Sequence, residues 1–242
     1  MDNTLAEVHY TLALIRTWSD WDWEGGEAAF QRAIELNPSY PDARVYYSNL
    51  LCYMGRPDEA ITQGEQALEL DPLNSLLMGI YGLTLEMIGR YDDAVVQARN
   101  ALRTSPNDPP AHSLLWEVLH IKGEYEEALE EGKAFFTGLG QAPLAEVMAQ
   151  GYEKDGYSGA MSLAAEIMVS FSKETYISPF YISYFYAFAG DKEKALEWLE
   201  KGYEIKDPNM PYIGGKGVHD NLLHDDPRFQ DLLRRMNFPR RK

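Results

Sequence analysis

The sequence predicts an all-α fold, a solenoid of about six stacked antiparallel helix pairs followed by a closing helix. Three observations carry that prediction: an internal period, helical spacing of the apolar residues, and a turn residue that recurs in phase. Shifting "LCYMGRPDEAITQGEQALELDPLN" (51–74) forward by 34 residues places Gly55, Ala60, Ala67 and Pro72 on Gly89, Ala94, Ala101 and Pro106. Shifting it back places Ala60, Ala67 and Pro72 on Gly26, Ala33 and Pro38, and a further forward step finds Gly123 and Ala128. Ala60, Ile61, Gly64, Ala67 and Leu68 lie at i, i+1, i+4, i+7 and i+8, one face of a helix. Alternation of the kind a strand requires is hard to find.

Each period divides into two helices. The glycine at 55, 89 and 123 follows about a dozen mostly apolar residues, where a left-handed residue most readily stops a helix. A second helix then runs from about Pro57 to Glu69, with Asp58 and Glu59 favouring the positive end of its dipole. Asp71-Pro72 ends it, because the residue before proline is pushed out of helical geometry. Alanine at 60, 94 and 128 lets the two backbones approach. In this phase the pairs span roughly 4–38, 41–72, 75–106, 109–137, 142–171 and 176–207; the fifth keeps Gly156 as its turn but drifts by one residue, and the sixth restores the spacing with Gly190 and Ala195. Residues 208–242 form the expected C-terminal cap, in which Phe229, Leu232, Leu233 and Met236 share the inner face of a last helix. One pair alone leaves an apolar face in water, so the pairs stack and the array is the core.

Composition narrows the function. The 38 acidic residues outnumber 22 Lys and Arg, and a net charge of -16 repels phosphate backbones and anionic lipid surfaces. Nucleic acid and membrane are therefore not expected partners. One cysteine, Cys52, provides neither a disulfide framework nor a cysteine-rich zinc site, and fits a reducing, cytoplasmic setting. The opening "MDNTLAEVHYTLALIRTW" lacks a basic stretch before an apolar run, and no run approaches 18 apolar residues, so neither a signal peptide nor a membrane span is expected.

"GRPDEAITQGEQALELDP", "GRYDDAVVQARNALRTSP" and "GEYEEALEEGKAFF" resemble the tetratricopeptide repeat family over about residues 4–207. The resemblance implies a right-handed superhelix whose first helices line a concave surface where partners bind. Gly26 stands where alanine is usual, and the tryptophan expected early in each first helix is absent from the middle units. A narrower similarity joins "WSDWDWEGGEAAFQRAIELNP", "YISPFYISYFYAFAGDKEKALEWLEKGYE" and "DPRFQDLLRRM" to the repeat region that follows effector domains in bacterial signalling proteins, among them winged-helix regulators, adenylate cyclases and kinases. It implies a sensory or scaffolding portion, with action on an attached effector as the alternative to binding a separate protein.

Phasing the turn glycines points Tyr46, Asn49 and Tyr53 inward from the second unit, and Ile80, Leu83, Glu86 and Met87 from the third. The fourth offers Ser113, Leu114, Glu117 and His120, and the sixth Tyr181, Tyr184 and Phe188. This aromatic, aliphatic and acidic lining favours a protein or peptide with basic and apolar side chains, and an open stack end allows self-association. A clamp for acidic chaperone tails needs several cationic positions; of that pattern only Asn49 is present, with Tyr46, Leu76 and Ile80 at others.

No cofactor, metal or catalytic residue is expected. His219, Asp220, His224, Asp225 and Asp226 have metal-ligand chemistry, but histidines five apart miss the four-residue step of a helix, and a polar loop is the simpler reading. A metal-dependent enzyme built on 214–226 is the remote alternative. "GGKG" lacks the Ser or Thr and the preceding strand of a phosphate loop, and in "GYSGA" Gly156 and Gly159 do not flank Ser158 at two residues on each side. Trp18, Trp21 and Trp23 read as packing at the stack end, and Arg234, Arg235, Arg240, Arg241 and Lys242 as a basic tail complementing a helix C-terminus.

Overall fold

The same local chemistry turns the chain in four of the six helix pairs. Gly55, Gly89, Gly123 and Gly190 all hold φ between 70° and 87°, the left-handed region open to glycine. That turn lets the next residue's N–H reach back to a carbonyl five positions earlier: Arg56 to Leu51 at 2.9 Å, Arg90 to Leu85 at 2.8 Å, Glu124 to Leu119 at 2.9 Å and Asp191 to Tyr186 at 2.9 Å. Between pairs, side-chain caps restart the helix where the carbonyl ladder has ended. Asn74 accepts from the N–H of Leu76 at 3.1 Å, and Asp108 from that of Ala111 at 3.3 Å.

The structure, a computed structural model, describes residues 5–238. Arg240, Arg241 and Lys242 of the basic tail, and residue 4 of the first expected pair, lie outside the described residues. The pairs are α1 (Ala6–Leu14) with α2 (Trp23–Leu36), α3 (Pro41–Tyr53) with α4 (Pro57–Leu70), α5 (Ser75–Met87) with α6 (Tyr91–Thr104), and α7 (Pro109–Lys122) with α8 (Tyr125–Gly138). The fifth pair is one run, α9 (Ala142–Phe171), broken at Asp155 and Gly156, where φ and ψ leave the helical region. The sixth is α10 (Pro179–Ala189) with α11 (Lys192–Glu204). No strand occurs among the described residues, and none of their helices is long and apolar enough to cross a membrane.

Small residues set the spacing. Ala60, Ala94, Ala128 and Ala195 are wholly buried where second helices meet first ones. Around them lie the large side chains of the core, Phe30, Leu50, Leu77, Leu85, Leu115, Trp116 and Phe185. First helices pack beside one another, α3 against α5 and α5 against α7, which forms the concave wall. In the first pair, α1 runs on into a wide turn of π-helix, Ile15–Asp20, and Trp21 takes a left-handed conformation with φ 58°.

The segment after the sixth pair has more structure than a polar loop and one helix. A 3-10 turn, Met210–Gly214, leads to α12 (Val218–Leu223) and then α13 (Pro227–Arg235). Met210, Ile213, Val218 and Leu223 are each about 1% exposed or less, so what reads as loop is core. α13 packs on α11, where Arg228 pairs with Glu193 at 2.7 Å and the Arg235 guanidinium lies 4.4 Å over the Tyr203 ring. The same segment returns to the first pair. Trp23 stacks on Phe238 with ring centres 4.9 Å apart and donates its indole N–H to the Met236 carbonyl at 3.0 Å, while Trp21 meets Tyr203 at 5.6 Å.

This closure makes the C-terminal helix part of the common core. Phe229 is fully buried, so Phe229→Ala is expected to cost about 3–5 kcal/mol. In urea, tryptophan fluorescence and far-ultraviolet circular dichroism should still report one coincident transition at lower midpoint. A separate early transition would show that the C-terminal segment folds independently of the array.

Candidate functional site: a concave pocket with a buried carboxyl pair

α3, α5 and α7 present one wall of a pocket, α10 a second, and the 209–220 strap a third. Its volume is about 450 Å3, within the range of small-ligand sites. Of the inward residues expected from sequence, Tyr46, Asn49, Ile80, Leu83, Glu86, Met87, Ser113, Leu114, Glu117, Tyr181 and Tyr184 line it. Three do not. Tyr53 is buried against Trp18, Trp23 and Phe238; His120 lies stacked on Tyr157 and edge-on to Phe188; and Phe188 stacks on Trp116 at 4.4 Å. Each sits at the C-terminal end of its helix, where neighbouring pairs or the returning chain cover the surface. Sequence phase did not point to Tyr212, Ile213, Gly215, Gly217 and His219, all contributed by the strap. The apolar "MPYI" and "VHDNLL" were the available signals of its burial.

The strap is held by its backbone. Lys216 donates its N–H to the Met87 carbonyl at 3.0 Å, and Val218 donates to Glu117 Oε1 at 2.7 Å. Gly217 between them has a steric reason: a Cβ there would stand 2.6 Å from Glu117 Oε1 and 3.0 Å from Glu86 Oε1. Glycine therefore lets the main chain lie against two carboxyl groups. This, rather than phosphate binding, accounts for the last glycine of "GGKG".

Glu86 and Glu117 form the electrostatic centre of the pocket. Glu117 accepts from the Val218 N–H and the Tyr184 hydroxyl. Glu86 is 2% exposed, and no N–H or hydroxyl donates to its Oε1. Burial, and then the charge of Glu117, holds the Glu86 carboxyl well above the ordinary range, so it keeps a proton that it can donate to Glu117. Burial also raises Glu117, against the opposing pull of its donors from Tyr184, Val218 and Glu86. The arrangement is a neutral acid beside a hydrogen-bonded carboxylate.

Polar neighbours orient the rest. Asn49 gives its amide nitrogen to Thr84 Oγ1 at 2.8 Å and to the Ile80 carbonyl at 3.3 Å, leaving Oδ1 without a donor. Ser183 donates to the Ala195 carbonyl at 2.9 Å, so His219, 2.9 Å away, serves it as donor through Nε2. Burial pushes His219 down to about 3, keeping it neutral. His224 instead pairs with Asp220 at 3.1 Å on the outer side. The two histidines thus diverge, and no metal-holding group of three His, Cys, Asp or Glu occurs among the described residues. Cys52 is held above its ordinary pKa by burial and then by Glu86, and its thiol contacts the Thr84 carbonyl at 3.7 Å.

Comparison with known proteins places this geometry in a wider setting. Tetratricopeptide repeat models match residues 48–109 and residues 29–62. The fold is a tetratricopeptide repeat solenoid. A tetratricopeptide repeat protein from Parabacteroides merdae has TM-score 0.58 and 12% identity, covering 96% of this chain and 84% of that one. Pseudomonas aeruginosa pilF has TM-score 0.56 and 16% identity, with coverage of 86% and 94%. PilW, described as a widely conserved type IV pilus biogenesis factor, has TM-score 0.54 and 16% identity, with coverage of 94% and 98%. At these identities the likeness is one of fold. No curated protein matches the chain.

The carboxyl pair has a measurable consequence for stability. Unfolded, Glu86 loses its proton near 4.5; folded, it keeps the proton to higher pH, so between those values the unfolded chain binds fewer protons and stability falls as pH rises. Glu86→Gln removes that loss. The variant's Tm relative to the parent is expected to rise from pH 5 to pH 8, by about 2–4 °C per kcal/mol. A difference independent of pH would mean that Glu86 ionises normally.

Proposed function

We propose that the chain is a non-catalytic protein-interaction module whose concave pocket receives a short segment of a partner protein bearing basic and apolar side chains. The observation that supports this reading is the pocket itself. Leu76, Leu139 and Tyr181 are each more than 40% exposed at its rim, above an apolar and aromatic interior that ends on the Glu86 and Glu117 carboxyls. Large aromatic and aliphatic contacts supply affinity, and a net charge of -16 accelerates approach of a basic partner.

The strap refines the form of that partner. An α-helix with side chains is about 10–12 Å across, and residues 209–220 already occupy part of the concave surface. An extended segment or the tip of a loop, entering by one or two side chains, fits the remaining space better than a helix lying along the array.

Selection from a displayed library of short peptides tests the reading. Enriched sequences should combine Lys or Arg with large apolar residues, and Leu83→Lys should abolish their binding while leaving the Tm within a few degrees of the parent. Leu83 is a half-buried lining residue, so the added cation would oppose a basic ligand without opening the core. Enrichment of acidic peptides, or binding indifferent to Leu83→Lys, would contradict the proposal.

A further inference from the structure

Two buried acceptor atoms on residues that line the pocket have no donor. Glu117 uses both of its oxygens, accepting from Val218 and Tyr184. Glu86 Oε1 and Asn49 Oδ1 are buried and have no donor, yet both residues line the space. The Asn49 orientation is set by its nitrogen, which is committed to the Ile80 carbonyl and Thr84. Leaving a buried acceptor unpaired is costly, and both of these belong to residues that line the same pocket.

We infer that the pocket is a site for one organic cation, a primary ammonium on an apolar stem, with the ammonium at the Glu86 carboxyl and the stem among Tyr46, Leu83 and Tyr181. The inference rests on the reading of the pocket as a binding site and specifies the group recognised there. An ammonium has three separately directed N–H donors, suited to single acceptors on different helices. A guanidinium fork favours two free oxygens of one carboxylate, and those of Glu117 are taken. The aromatic wall complements both the stem and the charge. Either a free amine or a partner's lysine side chain carries the required chemistry.

Among the described residues, no Lys or Arg lines the site. Lys216 extends over Gly89 and is not a lining residue. The groups facing Glu86 are Cys52 and Tyr53 of α3, Tyr91 of α6, Glu117 of α7 and Tyr184 of α10, with Asp220 of α12 beyond Tyr91. Burial keeps the thiol and the phenols neutral at ordinary pH. When the ammonium binds, the Glu86 proton passes to solvent and the ammonium retains its own, leaving an ion pair where a neutral acid stood. Binding therefore releases about one proton and strengthens as pH rises.

Isothermal titration calorimetry with 2-phenylethylamine, 2-phenylethanol and the capped peptide acetyl-Leu-Lys-Phe-amide tests this directly. The amine, the peptide or both should bind the parent more tightly at pH 8 than at pH 6, with heats in phosphate and Tris differing by the ionisation of about one proton. The alcohol should bind at least about tenfold more weakly than the amine, and Glu86→Gln should weaken binding by a similar factor. Circular dichroism checks that this near-isosteric variant is folded. Binding of the amine alone would assign the cation to a free small molecule; binding of the peptide alone would assign it to a partner's lysine. Equal binding of alcohol and amine, indifference to Glu86→Gln, or no binding by either cation would overturn the inference. In that event, displayed peptides still lost from Leu83→Lys would leave the protein-binding reading standing.

Discussion

The hydrogen bond from the Val218 N–H to the Glu117 carboxylate joins parts of the chain 101 residues apart, and the concave side is organised around it. A charge-assisted bond of this kind contributes about 1.5–3 kcal/mol, but its structural consequence is larger than its energy. It seats the strap between α7 and α10, fixes the glycine that must pass the two carboxyls, and turns an open groove into a bounded pocket. The strap's continuation then reaches Trp23, where an aromatic stack and an indole hydrogen bond join the end of the array to its beginning.

An acidic solenoid gains specific advantages from such closure. Stacked pairs interact mainly with their neighbours, so an unclosed array has two exposed ends and cooperativity that weakens with length. Here Trp21 meets Tyr203 across the first and sixth pairs, Trp23 stacks on Phe238, and the cations of α13 bridge acidic residues of α11. Those surface ion pairs contribute little individually. Their role is to bring positive charge to one of the acidic helices while the aromatic contacts exclude water.

Local chemistry was legible in the sequence, and long-range register was not. Gly55, Gly89, Gly123 and Gly190, with alanine five residues later, announce the turns and close helix contacts through properties that need only neighbouring residues. Most of the residues that the same phase turned inward do line the pocket, because that phase depends on helical geometry alone. It missed that Tyr53, His120 and Phe188 are covered, since their covering partners lie in other pairs or in the strap. It also presented Glu86 and Glu117 as acidic lining residues. Their burial as a proton-holding pair follows from Gly217 and Val218 arriving beside them, a juxtaposition that no spacing rule contains. The break at Gly156 was visible as a turn, whereas the π-helical turn before Trp21 had no comparable signal.

The strap is an integral wall of the pocket, and amide hydrogen exchange tests that integration. The Lys216 and Val218 amides, which bond Met87 and Glu117, are expected to exchange as slowly as the central amides of α5 and α7, through opening of the whole array. Exchange of those two amides orders of magnitude faster than in α5 and α7 would contradict the account, and would describe a solenoid whose concave surface is open.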